Sequence, residues 1–153
     1  EIAERCSELF GEDIVFLLHS NFISTERVDK EKELLSMIGK DAVRPEQKII
    51  IGTQVIEQSL DIDFDVMISD LAPMDLLIQR IGRLHRHEIK RPEKFKAPAL
   101  YVMGLSDDLD FESGSDYIYG GYLLARTQFF LPDIINIPRD ISPLVRYMEK
   151  RKL

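Results

Sequence analysis

Four short, unbroken apolar runs constrain this chain most: IVFLL from Ile14, KIIIGT from Lys48, DVMISDLA from Asp65 and ALYVMGL from Ala99. Each has strand length, and an apolar run without alternation marks a strand covered on both faces. Stretches with helical spacing lie between them. STERVDKEKELLSMIGK meets a glycine stop at Gly39, and MDLLIQRIGRLHRH opens after Pro73. Buried strands alternating with helices predict an α/β fold built on a parallel sheet. Ligands of such sheets bind beyond the carboxyl ends of the strands. Those ends hold His19 and Ser20, the triplet Gly52, Thr53 and Gln54, and the segment from Ser69 to Pro73.

The character of the chain changes after Leu105. An acidic loop from Asp107 to Asp116 precedes SDYIYGGYLLARTQFFL, which reads as helical in its second half, and a further helix is expected after Pro138. The division is therefore residues 1–105 as one lobe and residues 106–153 as a C-terminal extension with an acidic loop and helices. At the other end, EIAERCSELF reads as the middle of an amphipathic helix and Glu1 is not an initiator Met. A piece of a longer protein is expected.

Composition removes some function classes. No apolar run approaches the roughly 20 residues that span a bilayer, so a membrane partner is not expected. Cys6 is the single cysteine, which fits a reducing cytoplasm better than a disulfide framework. With three histidines beside it, a structural metal is not expected either. The net charge of −7 argues against a domain that coats nucleic acid. Charge is nevertheless uneven, with Arg80, Arg83, Arg86, Lys90, Arg91, Lys94 and Lys96 close together.

The arginines carry the chemistry. On a helix from Asp75 to His87, at roughly 100° per residue, Leu77, Ile78, Ile81 and Leu84 share one side. Gln79, Arg80, Arg83 and Arg86 then share the other. Like charges stacked along a face repel, and arginine suits bidentate grip on phosphate or carboxylate. The pattern implies an anion supplied from elsewhere; a merely solvated helix face is the plain alternative. Upstream, GTQVIEQSLDIDFD follows a strand. Gly52 and Thr53 offer a backbone N–H and a hydroxyl to a phosphate, and Asp61 could accept from a ribose hydroxyl. An ordinary turn, with Asp61 and Asp63 as solvated loop acids, explains the same residues. Met67 and Met74 read as core or core-edge, His85 and His87 as surface, Lys90 to Lys96 as a solvated loop. Tyr117, Tyr119 and Tyr122 read as packing residues that could also stack on bases.

Taken together and in order, these segments resemble a known family. QRIGRLHR (Gln79 to Arg86) resembles motif VI of superfamily 2 helicases, GTQVIEQSLDID (Gly52 to Asp63) their motif V, and VFLLHSNFISTER (Val15 to Arg27) their motif IV. The wording EQSLDIDFD and QRIGRLHRH, with the tail RTQFFLPDIINIPRDISPLV, is similar to the CRISPR-associated type I helicase–nuclease. That resemblance implies a three-layer RecA-like parallel sheet with helices on both faces and a short, mostly helical C-terminal extension. It makes residues 1–105 the second RecA-like motor lobe, lacking its first strand.

The resemblance also implies roles. Arg83 and Arg86 match arginine-finger positions that reach the γ-phosphate of ATP. Gln58, Asp61, Gln79 and Arg80 would lie around the nucleotide, and His19, Ser20, Arg27, Thr53 and Gln54 along single-stranded DNA. The implied cofactors are ATP and Mg²⁺, both held mainly by a first lobe. The implied partners are that lobe and a nuclease domain of the same parent chain, single-stranded DNA, and a CRISPR RNA-guided surveillance complex in antiviral defence. The sequence has no Gly-x4-Gly-Lys-[Ser/Thr] loop: Gly39 and Lys40 are followed by Asp41, and Leu34 stands where the first glycine belongs. This chain alone is not expected to hydrolyse ATP. Two other readings remain open: a lobe of another superfamily 2 DNA or RNA helicase, and a non-enzymatic α/β binding or receiver-like module with Asp70 at a strand end.

Overall fold

The structure, a computed structural model, describes residues 1–18, 24–53 and 60–149. They form two compact units.

The first unit comprises residues 1–64 and 85–89. Helix α1 (Ile2–Phe10) ends where Gly11 takes up a φ of 102° and donates its N–H to Ser7 O. Strand β1 (Val15–Leu18) then pairs in parallel with β2 (Ile49–Gly52), Val15 opposite Ile49. Helix α2 (Ser24–Ile38) connects them. Phe16 and Leu18 alternate along β1 with half-buried Val15 and Leu17, and pack with Leu34, Ile38 and Ile62 into the core. The stop at Gly39 serves this core. Its N–H donates to Leu35 O, and a Cβ there would lie 2.4 Å from that same carbonyl, so only glycine fits without a shift. Gly39 also forms an antiparallel bridge with Ile62. That bridge ties the segment after β2 to the end of α2.

The second unit comprises residues 65–84 and those from Lys90 onward. Strands β3 (Val66–Asp70) and β4 (Ala99–Met103) pair in parallel, Ile68 opposite Tyr101. Helix α3 (Met74–Ile81) starts after Pro73, whose fixed φ suits a helix entry. It buries Met74 and Leu77. Helices α4 (Ser113–Tyr119), α5 (Gly121–Phe130) and α6 (Ile141–Glu149) complete the unit. Leu71, Ala72, Leu77, Phe111 and Leu124 form the core, with Leu100 and Val102 of β4 packed on it.

The α/β class and the parallel pairing agree with the sequence reading. Three expectations need correction. Strands β3 and β4 are not covered on both faces: Ile68 is 65% exposed and Tyr101 61%. Residues 113–116 of the expected acidic loop are the first turn of α4. Most important, the arginine helix stops at Ile81 rather than His87. Gly82, Arg83 and Leu84 turn tightly, with the N–H groups of Arg83 and Leu84 reaching only three residues back, to Arg80 O and Ile81 O. His85 then adopts a left-handed φ of 47° and gives its N–H to Phe64 O.

Candidate functional site

Motif VI thus does not form one charged helical face. Arg80 sits on α3, Arg83 in the turn after it, and Arg86 in the segment that packs with the first unit. Each has a separate environment.

In the first unit Ile62 forms an isolated antiparallel bridge with Gly39. Ile62 is fully buried, and its neighbours Asp61 and Asp63 share the opposite side of the segment, as alternate residues do. Both acids meet Arg86. Asp61 Oδ1 accepts from Arg86 Nε at 2.6 Å, and His87 Nε2 lies 3.2 Å from the same oxygen. Asp63 Oδ1 accepts the backbone N–H of Arg86 at 2.9 Å. The other oxygen, Asp63 Oδ2, accepts from Arg44 Nη1 at 3.0 Å.

The Arg86 hydrogen bond holds the Asp61 carboxyl below the usual carboxylate range; burial opposes this, while the charges of His87, Arg86 and Lys40 add to it. Asp61 is therefore ionised near neutral pH, an acceptor for hydroxyl or guanidinium. Asp63, at 1% exposure, is not the solvated acid that the sequence allowed. Sequence reasoning missed it, and it missed Arg44 altogether. The only local signal was an acid two residues beyond Asp61. Its partner 19 positions upstream carries no mark in the sequence.

In the second unit Arg80 Nη1 donates to Ser69 Oγ at 2.6 Å and to Asp70 O at 3.1 Å, fastening α3 to the end of β3. Gln79 is exposed and Arg83 half-buried. Arg91, expected in a solvated loop, has a side chain only 6% exposed and pairs with Asp65.

The nucleic-acid candidates divide. His19, Ser20 and Gln54 lie outside the described residues, as does the nucleotide candidate Gln58. Thr53 is exposed at the carboxyl end of β2, its N–H donating to Leu18 O at 3.3 Å. Arg27 pairs with Glu31 one turn along α2, at 2.9 Å. Among the described residues no group of three or more His, Cys, Asp and Glu could hold a metal ion. No helix among them is long and apolar enough to cross a membrane.

Parallel strands joined by helices, with an acid–arginine cluster after β2 and an arginine-bearing helix after β3, define a RecA-like α/β lobe. Residues 1–89, more than half of the chain, match the family described as "CRISPR-associated nuclease/helicase Cas3, C-terminal". The chain belongs to that family.

A "CRISPR-associated nuclease/helicase Cas3" from Streptococcus thermophilus is 67% identical over 146 residues, covering 95% of this chain and 16% of that protein. The crystal structure of T. fusca Cas3-AMPPNP aligns with a TM-score of 0.89 at 34% identity, over 99% of this chain and 18% of that one. A chain in a structure described as "CRISPR RNA-guided surveillance complex, pre-nicking" aligns with a TM-score of 0.86 at 35% identity, over 96% of this chain and 19% of that one. This chain therefore spans less than a fifth of the proteins it matches.

Proposed function

We propose that this chain is the second motor lobe of an ATP-dependent DNA helicase of the CRISPR-associated type, acting in antiviral defence. The supporting observation is the grip of Asp61 on Arg86 in the order and wording of motifs V and VI. Arg86 is a cation already directed by an anion, in the segment that follows α3 and its turn, in a chain of the Cas3 C-terminal family. A receiver-like module has no use for that pair.

In this reading Arg83 and Arg86 are the arginine fingers. They supply positive charge to the γ-phosphate of ATP held on the first lobe, and the phosphate displaces Asp61 from Arg86. Asp61 is then free to accept from the ribose. Gln58 and Gln79 are assigned to the nucleotide as well, and Arg80 acts through its bonds to Ser69 and Asp70. His19, Ser20, Arg27, Thr53 and Gln54 follow the backbone of single-stranded DNA. ATP binding draws the lobes together and hydrolysis releases them, shifting the grip on the strand. The parent's nuclease domain and an RNA-guided surveillance complex are the further partners. Cationic arginines and the ionised Asp61 suit polyphosphate and ribose. The described residues offer Mg²⁺ no cluster of three or more His, Cys, Asp and Glu ligands.

An arginine finger contributes about 10³–10⁵ in rate, or roughly 4–7 kcal/mol of barrier. The test is DNA-stimulated ATP hydrolysis by the full parent protein. Arg83→Ala and Arg86→Ala should each lose at least about a hundredfold in kcat, while Lys32→Ala, at an exposed side chain on α2, keeps activity. Equal activity in all three variants would remove the arginines from the mechanism.

A further inference from the structure

Among the described residues, Asp63 is the one acid buried from water, and the proposed chemistry makes no use of it. A buried carboxylate is costly unless its oxygens are paired. Both are paired here. Arg44 Nη1 donates to Oδ2 at 3.0 Å, and the Arg86 N–H donates to Oδ1 at 2.9 Å.

The mount beneath this carboxylate is rigid. The N–H of Asp63 donates to Ile38 O at 3.0 Å, so the residue is fixed to the end of α2. Ile62 beside it is fully buried and bridges Gly39. The receiving segment is fixed at two consecutive amides. His85 N–H goes to Phe64 O at 3.1 Å, and Arg86 N–H goes to the Asp63 carboxylate. Between them the chain takes the left-handed turn at His85 that ends the helical path. An ionised acceptor makes the second bond the stronger kind.

The geometry points to Asp63 as the positioning residue for Arg86, with Arg44 setting the carboxylate. This rests on the finger reading of Arg86. Asp61 and Asp63 then have separate tasks. Asp61 binds the Arg86 side chain at the surface, a contact that an arriving phosphate can displace. Asp63 binds the Arg86 main chain in the interior, a contact that persists through the cycle and fixes where the guanidinium starts from. Misplacing a catalytic group by about 1 Å can cost on the order of a hundredfold. Arg44, far from any motif in the sequence, belongs to the site for this reason.

The test uses the full parent protein, with melting temperature, kcat and KM for ATP measured in DNA-stimulated hydrolysis. Asp63→Asn keeps the size of the side chain and removes its charge. It should lower kcat about tenfold while KM changes less than about threefold. Arg86→Ala leaves its own N–H on Asp63 and removes only the guanidinium. Adding Asp63→Asn to Arg86→Ala should therefore cost nothing more, because a positioning residue has nothing left to position. Arg44→Gln should fall between wild type and Asp63→Asn, and it carries the same double-variant test should Asp63→Asn fail to fold. If Arg86→Ala is crippled but Asp63→Asn turns over at the wild-type rate, the positioning role is overturned and the finger reading stands. Fully multiplicative losses in the double variant overturn it too. A wild-type rate for Arg86→Ala overturns both.

Discussion

Arg91 and Arg86 lie five residues apart in one basic stretch, yet they end in opposite environments. Arg91 is 6% exposed and paired with Asp65 of the same unit, whereas the Arg86 side chain is 41% exposed and meets Asp61. Burial decides which of the two is structural. Removing one partner of a buried ion pair strands the other in low dielectric, at about 3–5 kcal/mol. Asp65 is itself 28% exposed, which lets water reach the stranded acid and lowers the expectation to roughly 2–3 kcal/mol. Arg91→Ala should therefore shift the urea midpoint of the second unit to lower denaturant. Lys94→Ala, at an exposed neighbour, should leave it unchanged. The sequence could not have separated Arg91 from Lys94, because both read as basic loop residues and the partner that buries Arg91 lies 26 positions away.

At the scale of elements, the strands were legible to within one to three residues. IVFLL, KIIIGT, DVMISDLA and ALYVMGL each contain the strand observed, because a short, mainly apolar run of that length has few other uses. The end of α3 was not legible. Leu77, Ile78, Ile81 and Leu84 keep helical spacing straight through Gly82, and nothing local forbids continuation. What ends the helix is distant: Phe64 and Asp63 take the amides of His85 and Arg86 that a continuing helix would have used. The same event answers the charge problem posed by three stacked arginines, since they never share a helical face. For the same reason the site was half legible. Asp61 and Arg86 stood out by motif, while the Asp63–Arg44 pair beneath them depends on tertiary contact alone.

The turn that leads into helix α6 is fastened by a titratable group. Asp140 precedes the helix and accepts from the Asn136 N–H at 2.7 Å, from Asn136 Nδ2 at 3.0 Å and from Arg139 Nε at 2.8 Å. The Arg139 hydrogen bond above all, then the two from Asn136, holds the Asp140 carboxyl well below the usual carboxylate range. A depressed folded pKa means stabilisation that is complete above the ordinary value and is lost as pH falls through the folded one. Amide exchange in α6 should therefore be faster in Asp140→Asn than in wild type near neutral pH. The difference should narrow only as the pH drops below about 4. A difference that is constant down to strong acid would mean that the charge of Asp140 contributes nothing.

At the scale of the whole molecule, the proposed reading gives the chain one side of a nucleotide site. In that proposal its arginines serve phosphate and Asp61 serves ribose, while the sequence has no glycine-rich loop with lysine to cradle a triphosphate. The Asp61–Arg86 pair sharpens the consequence. In the lobe by itself Arg86 is already neutralised by a carboxylate at 2.6 Å, so an incoming phosphate must displace one anion with another. The exchange is favourable only where other groups hold the phosphate in place, which in the proposed motor is the task of the first lobe. The purified 153-residue chain should accordingly show no saturable ATP binding below about 1 mM, an affinity equivalent to roughly 4 kcal/mol, and no hydrolysis above buffer. The full parent should bind and hydrolyse ATP. Calorimetric titration of both proteins decides the point. Micromolar binding by the chain alone would mean that its arginines form a nucleotide site without the first lobe, and Asp61 would then be a ligand of that site rather than a resting partner for Arg86.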